Sequence, residues 1–207
     1  KPVYVHMDIG FNDATAIIFS QETVAGTCKI IDYLEGSQRS LLDWVYEVEK
    51  RANEKGYNIS LIVMPHDANN TEVSHGMTRL EWVLSEGSFE ARGLRFDVLP
   101  RAEKQAGIDA TRGMLATCMI DYVDTRSDKD NPCGELIEAL KSYRREWDEK
   151  NQTYRNHAVH DWASHPADAM RYLASSWQDV VSFAYSPMTR QRGNRIKANI
   201  KVKRALR

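Results

Sequence analysis

With 207 residues, 28 Lys and Arg against 29 Asp and Glu, and a formal net charge of −1, the chain can bury a core as one domain without disulfides or a structural metal. No apolar run reaches the roughly 20 residues of a membrane-spanning helix and no secretory leader pattern opens the chain, so it reads as soluble and intracellular, with no membrane partner. Cys28, Cys118 and Cys133 are odd in number and far apart, which argues against both a disulfide framework and a structural zinc site and leaves buried or inert thiols.

The chain begins at Lys1, with Val3, Tyr4 and Val5 already strand-like, and a longer polypeptide is expected upstream. Residues 3–9, 14–20 and 24–34 are rich in Val, Ile and Tyr and are separated by turn formers, which predicts three strands in an antiparallel meander. Leu41, Leu42, Trp44, Val45 and Val48 recur at helical spacing up to Lys55, with Gly56 placed as a C-terminal cap. Ile59 to Met64 is a short continuous apolar run ended by Pro65, the pattern of a strand covered on both faces. A helix is expected around Met77, Leu80, Val83 and Leu84, a fifth strand over Phe96 to Leu99 and a third helix over Ala102 to Met119, giving the order βββαβαβα. Beyond it come a polar loop over 124–133, a helix over Leu136 to Trp147, a charged connector over 148–160 and a last helix over Pro166 to Trp177. Residues 190–207 carry basic charges and no acid, so the body, residues 1–189, is acidic and the tail is expected to be a disordered segment that either faces an anionic partner, nucleic acid or an acidic protein surface, or merely aids solubility.

Three acids stand out by position. Asp8 ends the first strand, and Asp67 follows the fourth, which right-handed crossover places parallel to the first, so both emerge at one sheet edge. Asp168 opens the last helix together with His165, three residues earlier and on the same face, while Met170, Leu173, Ala174 and Trp177 form the apolar stripe. Converging carboxylates repel one another unless cations sit among them, and hard oxygen ligands select Mg²⁺ or Mn²⁺. Two such ions suit in-line hydrolysis of a phosphodiester. Each acid also has a local alternative: Asp8 as a turn opener, Asp67 as a helix cap, Asp168 at a positive helix end. Asp161 competes with Asp168 as the third ligand, Asp13 reads as a turn or surface residue, and a zinc cluster of His157, His160 and His165 lacks a matching Cys or Glu set. His165 reads as a proton shuttle or a partner of the ligands.

The strings Asp8-Ile-Gly-Phe-Asn-Asp-Ala-Thr, Met64-Pro-His-Asp67-Ala, Ala106-Gly-Ile-Asp-Ala-Thr-Arg112 and Ser164-His-Pro-Ala-Asp168-Ala-Met-Arg-Tyr172 occur in an order that resembles the nuclease domain of tailed-bacteriophage terminase large subunits. The resemblance covers nearly all of residues 1–189. It implies an RNase H-like α/β fold, with a mixed five-stranded sheet of order 3-2-1-4-5 flanked by helices. It further implies two Mg²⁺ or Mn²⁺ ions bound by Asp8, Asp67 and Asp168, and cleavage of concatemeric double-stranded DNA during viral genome packaging. An ATPase domain upstream, portal protein and terminase small subunit as partners, and the host cytoplasm as location belong to the same expectation. The chain itself has no Gly-x-x-x-x-Gly-Lys-Ser/Thr phosphate loop. Two rival readings remain: Asp8-x-Gly10 resembles the phosphate turn of actin-like ATPases and sugar kinases, which need a second such lobe, and the chain could be a non-catalytic docking module of a packaging motor.

Overall fold

A computed structural model describes residues 1–10, 13–72, 76–122 and 133–185; the tail over 190–207, its boundary at 189 and nearly all of the loop over 124–133 lie outside the described residues. The first three strands, β1 (Pro2–Asp8), β2 (Thr15–Glu22) and β3 (Cys28–Gly36), form the expected antiparallel meander, with Asp8 opposite Ala16 and Ala16 opposite Glu35. Helix α1 (Leu41–Lys55) begins at a reciprocal cap: the Ser40 hydroxyl accepts from the Asp43 N–H while the Asp43 carboxylate accepts from the Ser40 N–H. It ends at Gly56, whose φ of 69° is the left-handed conformation that favours glycine.

Strand β4 (Asn58–Met64) then runs parallel to β1, Tyr4 beside Leu61 and His6 beside Val63. A single 3₁₀ turn, His66–Asn69, follows Pro65 and leads into a small hairpin of β5 (Thr71–Glu72) and β6 (Met77–Thr78). Next come α2 (Arg79–Gly87), β7 (Phe96–Val98), α3 (Lys104–Leu115), β8 (Met119–Ile120) and α4 (Gly134–Ser142). The chain closes with β9 (Arg145–Asp148), β10 (Thr153–Ala158) and α5 (Ser164–Tyr185).

The main sheet has the order β7-β4-β1-β2-β3-β8. Five of its strands reproduce the expected arrangement; the sixth, β8, is two residues long and lies parallel to the outer edge of β3. It comes from the end of the stretch read as helix up to Met119, because α3 stops at Leu115. Other assignments change as well: Met77, expected in the second helix, lies in β6. The helix expected to reach Trp147 ends at Ser142, and the connector over 148–160 is in large part the second strand of an antiparallel β9–β10 hairpin. The last helix runs from Ser164 to Tyr185, eight residues past the expected end at Trp177.

Alternation along β1 divides the core in two. Val3, Val5 and Met7, with Ile17, Phe19, Ile62 and Met64, pack under Trp44, Val45 and Val48 of α1 and Leu80 and Val83 of α2. Tyr4, with Ile18, Leu61 and Val63, packs under Met170, Leu173 and Trp177 of α5, the Tyr4 and Trp177 rings meeting edge to face at 5.9 Å. Each such fully buried side chain contributes about 1.5–3 kcal/mol relative to exposure. His6 is buried on the α5 face, where its Nε2–H donates to Ser176 Oγ at 3.0 Å, because the Ser176 hydroxyl is itself donating to the Tyr172 carbonyl at 2.8 Å. Burial pushes the His6 imidazole down to about 3, so the ring is neutral.

The three cysteines are free thiols. Cys28 and Cys133 are buried and Cys118 is partly so. No helix of the described residues is long and apolar enough to cross a membrane.

Candidate active site at the carboxyl edge of the sheet

Asp8 is the last residue of β1 and shares the α5 face with Tyr4 and His6. Its Oδ2 accepts a hydrogen bond from Nδ1 of His165 at 3.0 Å, and both side chains are largely covered, 14% and 17% exposed. Burial pushes the Asp8 carboxyl above the usual range, opposed by the hydrogen bond from His165 and reinforced by the negative charge of Asp168. The same hydrogen bond to Asp8 raises His165, against the opposing effect of its own burial. Strand one and the last helix are thus joined at the residues singled out from the sequence.

Asp168 stands one turn along α5 from His165. Its Oδ1 takes Nε of Arg171 at 3.1 Å and Nζ of Lys104 at 3.6 Å, which ties the carboxylate to α3 as well as to its own helix. Arg171 is nearly buried because its stem crosses Gly107: a Cβ at Gly107 would stand 2.4 Å from Arg171 Cγ. The motif around Gly107 therefore acts through close helix contact, a role that composition alone does not announce.

Asp67 lies in the 3₁₀ turn after β4, at the same sheet edge as Asp8, since β1 and β4 are parallel neighbours. Its carboxylate is exposed, and its partners among the described residues are Asn70 Nδ2 and His66 Nε2, both 3.2 Å from Oδ1. No hydrogen bond or ion pair among the described residues joins it to Asp8, His165 or Asp168. The structure brings Asp8, His165 and Asp168 together and leaves Asp67 beside them on the rim. In Asp8, Asp67 and Asp168 alike, one carboxylate oxygen is engaged and the other has no hydrogen bond or ion pair among the described residues.

Asp161, the rival third ligand, is occupied differently: Oδ1 accepts from the Ala163 N–H at 3.0 Å and Oδ2 pairs with Arg144 at 2.9 Å, so it shapes the entry to α5. His157 is bound to Glu146 across the β9–β10 hairpin at 2.8 Å. The group that does form is Asp13, His160 and His165, which offer ligand atoms within 4.8 Å of one another. Asp13, read from the sequence as a turn or surface residue, is exposed and lies between β1 and β2. The described residues on either side approach closely: a Cβ on Gly10 would stand 2.8 Å from the Ala14 carbonyl, and Thr15 Oγ1 both donates to the Gly10 carbonyl at 2.7 Å and accepts from its N–H at 3.2 Å.

Glu35 was also missed. It shares a row across the sheet with Ala16 and Asp8, accepts the Tyr33 hydroxyl at 2.6 Å, and is raised by burial, with the hydrogen bond from Tyr33 opposing and the charge of Glu135 reinforcing. The signal that could have found it is register: once β1, β2 and β3 form a meander, the strand-three residue level with Asp8 is fixed.

No protein-family model and no curated protein matches the chain by sequence. Solved structures match it by fold. The large terminase from a thermophilic bacteriophage superposes with a TM-score of 0.59 at 16% identity over 84% of this chain, and the chain covers 39% of that protein's length. The P22 large terminase nuclease domain superposes with a TM-score of 0.53 at 20% identity, over 83% of this chain and 78% of that domain. Identities this low carry the fold and no more, and the fold of this chain is that of a terminase nuclease-like domain.

Proposed function

We propose that the chain is a metal-dependent endonuclease that cuts double-stranded DNA, with Asp8, Asp67 and Asp168 as the ligands of two divalent ions, Mg²⁺ or Mn²⁺. The observation that carries this reading is the Asp8–His165 bond, which joins the end of the central strand to the helix bearing Asp168, at a carboxyl edge where open α/β sheets place their ligands. The carboxylates fit hard cations: each keeps one oxygen without a hydrogen bond or ion pair among the described residues, and the Asp8 carboxyl is disfavoured in its charged form by burial and by Asp168, a cost that a cation removes. Divalent ions bound there supply Lewis acidity toward a phosphodiester.

The chain's own residues do the rest. Lys104 and Arg171 orient Asp168, and Asp8 orients His165. His165, whose affinity for a proton Asp8 raises, stands where it can serve as proton donor to a departing oxygen. The packaging role, with an upstream ATPase and portal and small-subunit partners, belongs to the same proposal and rests on the likeness in fold to large terminases.

Digestion of supercoiled plasmid tests the reading. Cleavage should require Mg²⁺ or Mn²⁺, stop on chelation, and fall by at least about 100-fold in Asp8→Asn, Asp67→Asn and Asp168→Asn with unchanged circular dichroism. Cleavage by pure protein in EDTA would overturn the metal dependence, and full activity in any one variant would remove that residue from the ligand set.

A further inference from the structure

We propose that Asp13, His160 and His165 form a separate site for one borderline transition-metal ion of the zinc class, distinct from the carboxylates proposed to hold hard cations. Their ligand atoms already lie within 4.8 Å of one another. Ligands of a tetrahedral ion with metal–nitrogen bonds near 2.1 Å stand roughly 3.4 Å apart, so closure needs at most about 1.4 Å of movement between any two of them. Asp13 and His160 are exposed and can supply it.

A second, independent observation is the tautomer that each ring is made to adopt. Nδ1 of His165 faces the carboxylate of Asp8 at 3.0 Å and so carries the proton, which leaves the lone pair on Nε2. A carboxylate behind a histidine in this way is the support that metal-bound imidazoles ordinarily have. Nδ1 of His160 lies 3.2 Å from Ser164 Oγ, and that hydroxyl spends its own hydrogen on the Asp161 carbonyl at 2.7 Å. His160 Nδ1 must therefore donate as well, and its lone pair also falls on Nε2. Two unrelated hydrogen bonds thus leave the lone pair of each neutral ring on the same atom, Nε2. The rings stand 5.5 Å apart at 71°, flanking the start of α5.

Two imidazoles and one carboxylate select Zn²⁺, Co²⁺ or Fe²⁺ over Mg²⁺, and three protein ligands leave a coordination position open. The all-carboxylate set has the opposite preference. Because His165 touches both groups, an ion on its Nε2 would lock the Nδ1–H tautomer and remove the ring from proton transfer.

Cobalt is the probe. The full chain should bind one Co²⁺ at neutral pH with the visible absorption of a nitrogen-ligated ion, displaced by one equivalent of Zn²⁺ and not by excess Mg²⁺. His160→Ala and Asp13→Ala should each weaken binding by at least about tenfold, Asp8→Asn by about 10- to 100-fold through the lost support of His165, and Asp67→Asn should leave it unchanged. His160→Gln, which keeps bulk at an exposed position, should behave as His160→Ala. Co²⁺ binding that ignores both His160 variants, or that disappears in Asp67→Asn, would overturn the proposal. The readout is independent of cleavage: an inactive protein that binds Co²⁺ through His160 leaves this site standing, and Mn²⁺-supported cleavage without Co²⁺ binding sinks this site alone.

Discussion

At the scale of single residues, His6 is the group whose state the fold dictates most strongly. Its folded value of about 3 lies below the ordinary 6.5, so between those values the unfolded chain binds the proton and the folded chain does not. Stability due to this residue is complete above pH 6.5 and is lost as pH falls toward 3, at about 1.4 kcal/mol per pH unit. Urea unfolding at pH 7 and pH 5 should therefore show a loss of roughly 2 kcal/mol in the native chain beyond any loss in His6→Gln. Equal slopes in the two proteins would mean that the ring is solvated in the folded state. His165 has the opposite sign: raised by Asp8, it contributes stability that is fully present below pH 6.5 and fades as pH rises through its folded value. Asp8→Asn should remove that contribution, and an NMR titration of His165 should move toward the ordinary histidine value. Asp8, Asp168 and His165 were legible in the sequence because each lies at the end of a strongly patterned element. Glu35 was not, since nothing local distinguishes it from a surface acid, and Asp13 and His160 were weighed there without being joined to one another; register and helix entry are what bring these residues toward Asp8 and His165.

Among the elements, the pairing of α3 with α5 shows how a small residue can control a distant carboxylate. Gly107→Ala removes a helix-weakening glycine, a gain of up to about 1 kcal/mol. The added methyl, however, must displace the nearly buried stem of Arg171, and overpacking of this kind typically costs about 1–3 kcal/mol. A net loss of stability is expected in urea melts, together with a higher Mn²⁺ requirement for cleavage, because Arg171 is, with Lys104, one of the two residues that hold Asp168. An unchanged metal requirement would show that Asp168 is positioned without Arg171. The β9–β10 hairpin was hidden in the sequence for a related reason. Its second strand is exposed at all but its final residue, so no alternation of apolar and polar side chains marks it. Its cross-strand contacts are instead polar and aromatic, with Arg155 reaching Glu146 and Asp148, and Trp147 against Tyr154 at 4.9 Å. The end of α5 was misjudged because Ser175, Ser176, Gln178 and Asp179 interrupt the apolar stripe, although Val180 continues it in the core.

For the whole molecule, charge is divided between an acidic body and a basic segment over 190–207, which lies outside the described residues. An acidic body repels phosphates, so on the proposed function DNA binding should be weak, sequence-tolerant and steeply salt-dependent. Deleting residues 190–207 should leave cleavage at saturating DNA intact and weaken DNA association across a salt series. Loss of cleavage at saturating DNA would make the segment part of the catalytic domain. The strand order was legible because buried strands and a right-handed crossover leave few alternatives. The two-residue edge strand β8 was not, because so short an element has no pattern of its own and exists only by pairing with β3.

The central position of β1 has a consequence for how the molecule opens. With β2 bonded to one side and β4 to the other, its amides should exchange with solvent only on global unfolding, whereas the segment carrying Asp13 and the 3₁₀ turn carrying Asp67 have few ladder bonds to break. On the proposed ligand set, the two sides of the site should therefore belong to different cooperative units. Saturating Mg²⁺ should slow deuterium uptake in peptides covering 66–70 and leave the already protected β1 peptide unchanged, so that the ion acts as a clasp between a rigid strand and a yielding turn. Equal slowing in both peptides would mean that the strand and the turn open as one.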